Sequence, residues 1–315
     1  MCIRDRRHAA RLQPWLEGRF PIGYWAWELA ELPDEWTEAF ALFREVWTCS
    51  IHAATAIGAR SPVPVQAMWP ALPDALPSAL TREDFGLPEG RFAFLFLYDF
   101  LSETERKNPA GLLDAFRRAF RADDRAHLVI KTSNGDMRRD DWKRLAAAAE
   151  GLPVTLFDRY LSRADVLALI RACDAYVSLH RAEGFGYTMA EAMAQARPVI
   201  ATHYSGNADF MTPWNSFPVP YRLVELERAH GRYAQGQHWA DPDLDAAAEL
   251  MRTVASDRER AAEVARRGQQ DVTRQLSAEA CGARVVARLR TLAQAHPSPA
   301  AAAPDLAVAS DPTAR

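Results

Sequence analysis

From residue 91 onward, short apolar runs alternate with amphipathic segments along the chain. The apolar runs show little polar alternation, as expected of strands that helices cover on both faces. Each amphipathic segment is long enough to return the chain to a parallel neighbour. The pattern predicts a parallel α/β sheet with strands at 92–98, 127–131, 153–157, 175–179 and 198–201, and helices at about 109–122, 140–149, 163–172 and 188–196.

The chain before residue 91 is organised more thinly. Its pattern predicts three strands and two helices, fewer than a doubly wound domain normally has. A proline-rich stretch at 61–77 is typical of a linker. We therefore expect residues 1–75 to be the C-terminal remnant of a second Rossmann-like domain plus linker, and residues 76–295 to be a nucleotide-binding domain with closing helices. The proline- and alanine-rich segment 296–315 is expected to be disordered.

Composition and charge exclude several classes of protein. The 38 Lys and Arg residues nearly balance the 41 Asp and Glu residues, so the net charge of −3 argues against nucleic acid as a partner. The chain has no apolar run long enough to span a bilayer and no signal-peptide pattern at its start. Its four cysteines form no metal-binding spacing and are expected to be buried, reduced thiols. These features predict a cytoplasmic protein without a metal ion or a cofactor.

Two glutamates stand eight positions apart in HRAEGFGYTMAEAMAQARPVIAT, residues 180–202. On one continuous helix, Glu183 and Glu191 would lie about 80° and about 12 Å apart. A better fit is a turn after a strand that carries Glu183, followed by a helix that begins near Thr188 and carries Glu191. Glu191 then has two interpretations, because Thr188-Met-Ala-Glu191 also has the spacing of a capping box. For Glu183, the alternative is a solvated loop charge.

This stretch closely resembles the E-x7-E signature of the glycosyl transferases group 1 family, the family 4 retaining glycosyltransferases of GT-B fold. The resemblance includes both glutamates, both glycines, EAMA and PVIAT, whereas Gln195-Ala196 replaces the usual glycine. It implies that the carboxylate of Glu183 and the backbone of the next three residues bind the donor sugar, and that Glu191 binds the ribose. Those three residues are Gly184, Phe185 and Gly186.

A nucleotide diphosphate sugar also needs cations for its phosphates. Arg106 and Lys107 precede a predicted helix, whose N-terminal amides favour anions. By resemblance, Lys107 aligns with the phosphate-binding lysine of the family, but the usual Gly-Arg pair is missing and Arg106 is the substitute candidate. The resemblance also places the backbone of Arg159, Tyr160 and Leu161 beside the nucleobase.

Other candidates have structural interpretations. A lone histidine such as His180 is more often packed or hydrogen-bonded than catalytic. The aromatic cluster of Tyr24, Trp25, Trp27 and Trp36 could offer a sugar-stacking surface, but packing is the favoured interpretation. Ser162 is expected to be an N-cap, with Asp165 three positions later.

The resemblance implies a retaining, metal-independent hexosyltransferase that uses a UDP- or GDP-sugar. Glu183 and Lys107 are the catalytic candidates, and the acceptor would be a glycan or a lipid-linked sugar, which allows peripheral contact with a membrane. A second hypothesis is an N-terminally truncated fragment that binds the donor without transferring it, since the N-terminal domain of this family supplies the acceptor side. A Rossmann-type oxidoreductase is disfavoured, because no G-x-G-x-x-G follows the first strand.

Overall fold

The computed structural model describes residues 14–121 and 124–296. Most of the C-terminal segment that was expected to be disordered, residues 297–315, lies outside this range, as does Cys2. Within the described ranges, no helix is sufficiently long and apolar to cross a membrane.

The N-terminal unit is a small parallel sheet of three strands in the order β1-β2-β3. The expected three strands and two helical segments are all present, although the first helical segment is a 3-10 helix. Along the chain, the unit consists of β1 (Ile22–Trp25), the 3-10 helix (Asp34–Leu42), β2 (Glu45–Thr48), α1 (Ile51–Gly58) and β3 (Val65–Ala67).

The aromatic residues of this unit mainly pack against one another. Trp27 is fully buried, and its ring centroid lies 5.1 Å from that of Trp36 and 5.6 Å from that of Tyr233. Trp25 is also buried and stacks on Phe40. The packing interpretation is thus confirmed for these tryptophans, while Tyr24 remains half exposed.

The second sheet has six parallel strands in the order β6-β5-β4-β7-β8-β9, which is the order of a Rossmann-like doubly wound fold. All five strands predicted from the apolar runs are present within one residue at either end. β9 was missed. The elements are β4 (Phe92–Leu97), α2 (Thr104–Lys107), α3 (Pro109–Ala119), β5 (Ala126–Thr132), α4 (Arg139–Ala149), β6 (Val154–Asp158), α5 (Arg163–Ala172), β7 (Ala175–Ser178), α6 (Tyr187–Ala194), β8 (Val199–Thr202) and β9 (Phe217–Val219).

Both faces of this sheet are buried, as the continuous apolar runs predict. Along β4, Phe94 and Phe96 pack into one hydrophobic cluster, whereas Leu95 and Leu97 pack into the cluster on the opposite face. Successive side chains of a strand point to opposite faces, so one strand contributes to both clusters.

The chain closes with an antiparallel ribbon and three helices. The ribbon was not predicted, whereas helices were expected here. The elements are β10 (Tyr221–Glu225), β11 (His238–Pro242), α7 (Leu244–Ser256), α8 (Arg258–Gln275) and α9 (Ala278–Ala295).

A buried ion pair attaches the last helix to the N-terminal unit. Arg288 on α9 donates to both carboxylate oxygens of Glu45 on β2, at 2.8 Å and 2.5 Å. Glu45 is only 1% exposed, and the indole of Trp47 donates to it at 2.7 Å. Burial raises the pKa of the Glu45 carboxyl, but these hydrogen bonds and the charge of Arg288 lower it further, so the net shift is downward. The carboxylate therefore depends on Arg288 for its counter-charge.

We expect Arg288→Met to lower the free energy of unfolding by about 3 kcal/mol, because a buried carboxylate loses its partner. Urea unfolding followed by circular dichroism measures the change. Arg290→Met, an exposed position on the same helix, is the control and should stay within about 0.5 kcal/mol of the wild type. Equal stability of the two variants would show that the ion pair does not hold α9 in place.

Candidate functional site

The site lies where the strand order reverses, between β4 and β7. In open α/β sheets, the loops at this switch point diverge and leave a crevice beyond the carboxyl ends of the strands. The loop after β4 leads into α2, which carries Arg106 and Lys107. The loop after β7 carries His180 and Glu183. Two segments that are 76 residues apart in sequence therefore meet at one edge of the sheet.

Several hydrogen bonds join the two loops. The backbone N–H of Arg181 donates to the carbonyl of Arg106 at 2.7 Å. The side chain of Asn108 donates to the carbonyl of Leu179 at 2.8 Å. Asn108 has a left-handed backbone (φ 56°) and caps α3, accepting from the N–H of Gly111 at 3.1 Å. The short α2 is therefore held against the loop that carries Glu183.

Glu183, Arg106 and Lys107 form a buried ion cluster. The Lys107 ammonium donates to Oε1 of Glu183, and the guanidinium of Arg106 lies 3.4 Å from Oε2. Arg106 also donates to the carbonyl of Ala182 at 2.5 Å. The side chains of Glu183 and Lys107 are 12% and 16% exposed, while that of Arg106 is 4% exposed. Glu183 is thus not the solvated loop charge of the alternative interpretation.

The electrostatics of the cluster favour an ionised carboxylate. Burial by itself raises the pKa of Glu183, but the charges of Lys107 and Arg106 outweigh burial and lower the pKa to about 2. With two cations and one carboxylate, the cluster has an excess of positive charge at the crevice. Such an excess, in a site of low dielectric, suits an anionic ligand such as a phosphate.

The glycine turn after Glu183 is shaped by close backbone packing. Gly186 has φ +96° and is the N-cap of α6, a conformation that side chains with a Cβ rarely adopt. A Cβ at Gly206 would lie 2.2 Å from the carbonyl oxygen of Gly184, so this turn also requires glycine. The N–H of Gly206 in turn donates to the carbonyl of Glu183 at 2.9 Å.

The turn leaves backbone donors available. Within the part of the chain that the structure describes, the N–H groups of Gly184, Phe185 and Gly186 donate to no other residue. The ring of Phe185 is buried and packs against Phe210, with centroids 5.2 Å apart. Phe185 therefore offers its backbone, but not its side chain, to a ligand.

His180 acts as a structural anchor. It is completely buried, with Nε2 3.0 Å from Oδ1 of Asn207 and Nδ1 3.1 Å from the hydroxyl of Ser178. Burial lowers the pKa of its imidazole, which is therefore neutral at physiological pH. The histidine fixes the turn around Ser205, whose hydroxyl accepts from the N–H of Glu183 at 2.7 Å.

The capping-box interpretation of Glu191 is wrong. The helix begins one residue earlier than expected, at Tyr187, with Gly186 as its N-cap and no side-chain cap. The hydroxyl of Thr188 instead accepts a hydrogen bond of 2.7 Å from Tyr176. The carboxylate of Glu191 faces Arg163 on α5, with Oε1 2.7 Å from the guanidinium nitrogen.

Residues 159–161 follow the carboxyl end of β6 and precede α5. The guanidinium of Arg159 lies 5.0 Å from the centroid of the Phe157 ring, and Tyr160 is 89% exposed. Ser162 caps α5 by accepting from the N–H of Asp165 at 3.2 Å, as the sequence predicts. Because Arg163 comes next, this loop lies close to Glu191 along the chain.

Sequence analysis missed the contribution of the N-terminal unit. Glu28, which is 7% exposed, lies 2.7 Å from Arg232 in the connection between β10 and β11. The thiol of Cys49 donates to the carbonyl of Gly184 at 3.2 Å. A carboxylate inside the apolar run GYWAWEL was the available signal for Glu28, whereas the role of Cys49 depends wholly on packing. Cys49, Cys173 and Cys281 are free and buried, as expected.

Asp209 forms a second link between the units. One of its carboxylate oxygens accepts from the N–H of Ile51 at 2.7 Å and from the indole of Trp69 at 2.9 Å.

Within the described ranges, no group of three or more His, Cys, Asp or Glu side chains is arranged to hold a metal ion.

The family model described as glycosyl transferases group 1 matches residues 79–271 of the chain. No curated protein matches the chain. Several solved structures share its fold. HepE from Anabaena, in complex with UDP and glucose, has a TM-score of 0.69 and 18% identity, over 90% of this chain and 74% of that one.

Two further structures are similar over smaller shares of their own length. Sucrose-phosphate synthase from Thermosynechococcus elongatus has a TM-score of 0.62 and 19% identity, over 82% of this chain and 61% of that one. The pneumococcal O-GlcNAc transferase GtfA, in complex with UDP and GlcNAc, has a TM-score of 0.60 and 12% identity, over 86% of this chain and 52% of that one. At these identities, the likeness is one of fold.

The ion cluster leads to a stability prediction for Glu183→Gln. We expect the free energy of unfolding at pH 7 to fall by about 3 kcal/mol, because two buried cations lose their counter-charge. The pKa of Glu183 is lower in the folded state, so the stability that its carboxylate contributes is present above the ordinary pKa of 4.5 and is lost as the pH falls towards about 2. The difference in the free energy of unfolding between Glu183→Gln and the wild type should therefore become smaller below about pH 4.5.

Urea unfolding of both proteins across this pH range measures the effect. Glu249→Gln, which changes an exposed glutamate on α7, is the control and should follow the wild type at every pH. A difference between wild type and Glu183→Gln that does not change with pH would contradict the assigned direction of the pKa shift.

Proposed function

Because the chain belongs to the glycosyl transferases group 1 family, we propose that it transfers a sugar from a nucleotide diphosphate sugar to an acceptor, with retention of configuration. The observation that carries this proposal is the meeting of Glu183 with Lys107 and Arg106 at the switch point of the sheet. The six-stranded domain has the architecture of GT-B glycosyltransferases.

In the proposed complex, the donor extends along the carboxyl edge of the sheet. Its diphosphate binds Lys107, while the more deeply buried Arg106 acts through its charge and through its bond to the loop at Ala182. The sugar hydroxyls bind Glu183 and the backbone N–H groups of Gly184, Phe185 and Gly186. An ionised carboxylate accepts hydrogen bonds from two neighbouring hydroxyls at once, which suits the task.

The nucleoside would lie on the opposite side of α6 from the sugar. Glu191 accepts from the ribose hydroxyls, and the loop of Arg159, Tyr160 and Leu161 flanks the base. These assignments follow the family resemblance. They are supported by the sheet topology, since the two segments follow β6 and β7, which are parallel strands of one sheet.

The proposed chemistry is electrostatic. When the bond between sugar and phosphate breaks, negative charge develops on the phosphate and positive charge on the sugar. Lys107 and Arg106 stabilise the departing phosphate, and fixed charges in a buried site cost little reorganisation at the moment of reaction. The carboxylate of Glu183 orients the sugar and stabilises the positive charge that develops on it. In this scheme, the protein's own cations, rather than a metal ion, offset part of the negative charge of the diphosphate.

The donor is proposed to be a UDP- or GDP-sugar. The HepE and GtfA structures are complexes with UDP together with glucose or GlcNAc, which makes UDP the first nucleotide to test. The acceptor is proposed to be a glycan or a lipid-linked sugar that the protein meets in the cytoplasm.

Calorimetric titration with UDP and GDP tests the donor site. We expect one of them to bind and Lys107→Ala and Glu191→Ala each to weaken it by about tenfold or more, the loss of a charge-assisted hydrogen bond. Lys143→Ala, which changes an exposed lysine on α4, should leave the affinity unchanged. The donor-site proposal fails if neither nucleotide binds, or if neither substitution has an effect.

The same titration in EDTA and in excess Mg²⁺ tests the role of the protein's cations. We expect the dissociation constants to agree within about twofold, because Lys107 and Arg106 supply the positive charge.

Incubation with UDP-glucose and UDP-GlcNAc, followed by detection of released UDP and of the anomeric configuration of the product, tests the transfer step. Inversion of the configuration would contradict a retaining enzyme.

A further inference from the structure

We propose that Arg163 is a positioning residue for nucleotide binding, which orients the carboxylate of Glu191 and keeps it ionised for the ribose hydroxyls. This inference rests on the proposed function, in which Glu191 binds the ribose. Neither the family resemblance nor the comparisons assign Arg163 a role. Its evidence is the ion pair between α5 and α6, in which the guanidinium lies 2.7 Å from Oε1 of Glu191.

Glu191 is isolated from other cations. Its side chain is 6% exposed, and among the described residues Arg163 is the one cation within ion-pair distance of it. Burial raises the pKa of its carboxyl, and the positive charge of Arg163 opposes that shift. Without Arg163, Glu191 would therefore take up a proton at a higher pH.

The other titratable groups near Glu191 are tyrosines that stay neutral. Tyr187 belongs to α6 itself, and Tyr176 approaches from β7. Burial raises the pKa of both phenols above their ordinary value, so neither gains charge between pH 5 and pH 8. The charge of Glu191 in this range is thus governed by Arg163.

The backbone of Arg163 is held in place by the start of a helix. It is the first residue of α5, whose start is fixed by the Ser162 cap. The loop proposed to flank the nucleobase, residues 159–161, immediately precedes the cap. One short segment therefore holds both the base-side loop and the counter-ion of the ribose carboxylate.

One ionised carboxylate has enough acceptor sites for both partners. An ionised carboxylate has about four lone-pair sites, and the guanidinium of Arg163 lies beside Oε1. The remaining sites can accept from the 2′- and 3′-hydroxyls of a ribose. A protonated carboxyl has a donor in place of one of these acceptors, so it no longer suits two neighbouring hydroxyls.

The test compares UDP with 2′-deoxy-UDP in calorimetric titrations of the full chain. We expect Arg163→Ala to weaken UDP binding by about tenfold at pH 7, roughly one charge-assisted hydrogen bond. The preference for UDP over 2′-deoxy-UDP should fall with it, since only UDP has the 2′-hydroxyl. Arg163→Lys keeps the positive charge and should restore part of the UDP affinity and part of the preference for UDP over 2′-deoxy-UDP. If the wild type binds GDP instead, GDP and 2′-deoxy-GDP are the pair.

The pH profile adds a readout that a merely structural role would not change. Between pH 7.5 and pH 5.5, the affinity of Arg163→Ala for UDP should fall more steeply than that of the wild type, because its Glu191 protonates first. Arg171→Ala, at the other end of α5, should match the wild type throughout. Thermal melting shows whether each variant is folded.

Three outcomes would overturn the inference while wild-type binding upholds the proposed function. These are equal losses of UDP and 2′-deoxy-UDP affinity in Arg163→Ala, an unchanged affinity, and tighter binding, which would mean that Arg163 competes with the ribose. If the wild type binds neither UDP nor GDP, the proposed function fails and the inference falls with it.

Discussion

The pairing of β4 with β7 is the interaction on which the candidate site depends. Residues 94 and 95 lie beside residues 175 and 176, although β5, β6 and the helices that connect them separate the two strands in sequence. This pairing sets the loop of Lys107 against the loop of Glu183, and the helices on either side diverge from it. The buried charges can then neutralise one another, whereas separately each would be too costly to bury.

The N-terminal unit completes the environment of these loops. Cys49 bonds to the carbonyl of Gly184, and Asp209 receives donors from Ile51 and Trp69. From within the domain, His180 and Ser205 hold the other side of the turn. The turn is therefore held from both sides, while the N–H groups of Gly184, Phe185 and Gly186 donate to no other described residue. The ion pair between Arg288 and Glu45 attaches the last helix, α9, to the same N-terminal unit.

The accuracy of sequence-based prediction differs among elements for physical reasons. The five strands predicted from apolar runs are present because burial on both faces leaves a strong signal. β9 is a three-residue strand that contains a proline. In the ribbon, β10 is mostly exposed, β11 is mostly buried and a long connection separates them, so neither strand shows a clear alternation. The start of α6 was predicted to within one residue, but the capping box at Thr188 was wrong, because the Thr188 hydroxyl instead accepts a hydrogen bond from Tyr176, twelve residues away in sequence.

The sequence by itself determined the α/β class, the succession of strands and helices, and the family to which the chain belongs. These properties follow from local periodicity and from one dense motif, in which glycines and glutamates have fixed spacing. Tertiary structure alone decided which charges meet: Lys107 with Glu183, Arg163 with Glu191, and Glu28 with Arg232. Such pairs depend on strand order and helix packing, and a linear pattern contains neither.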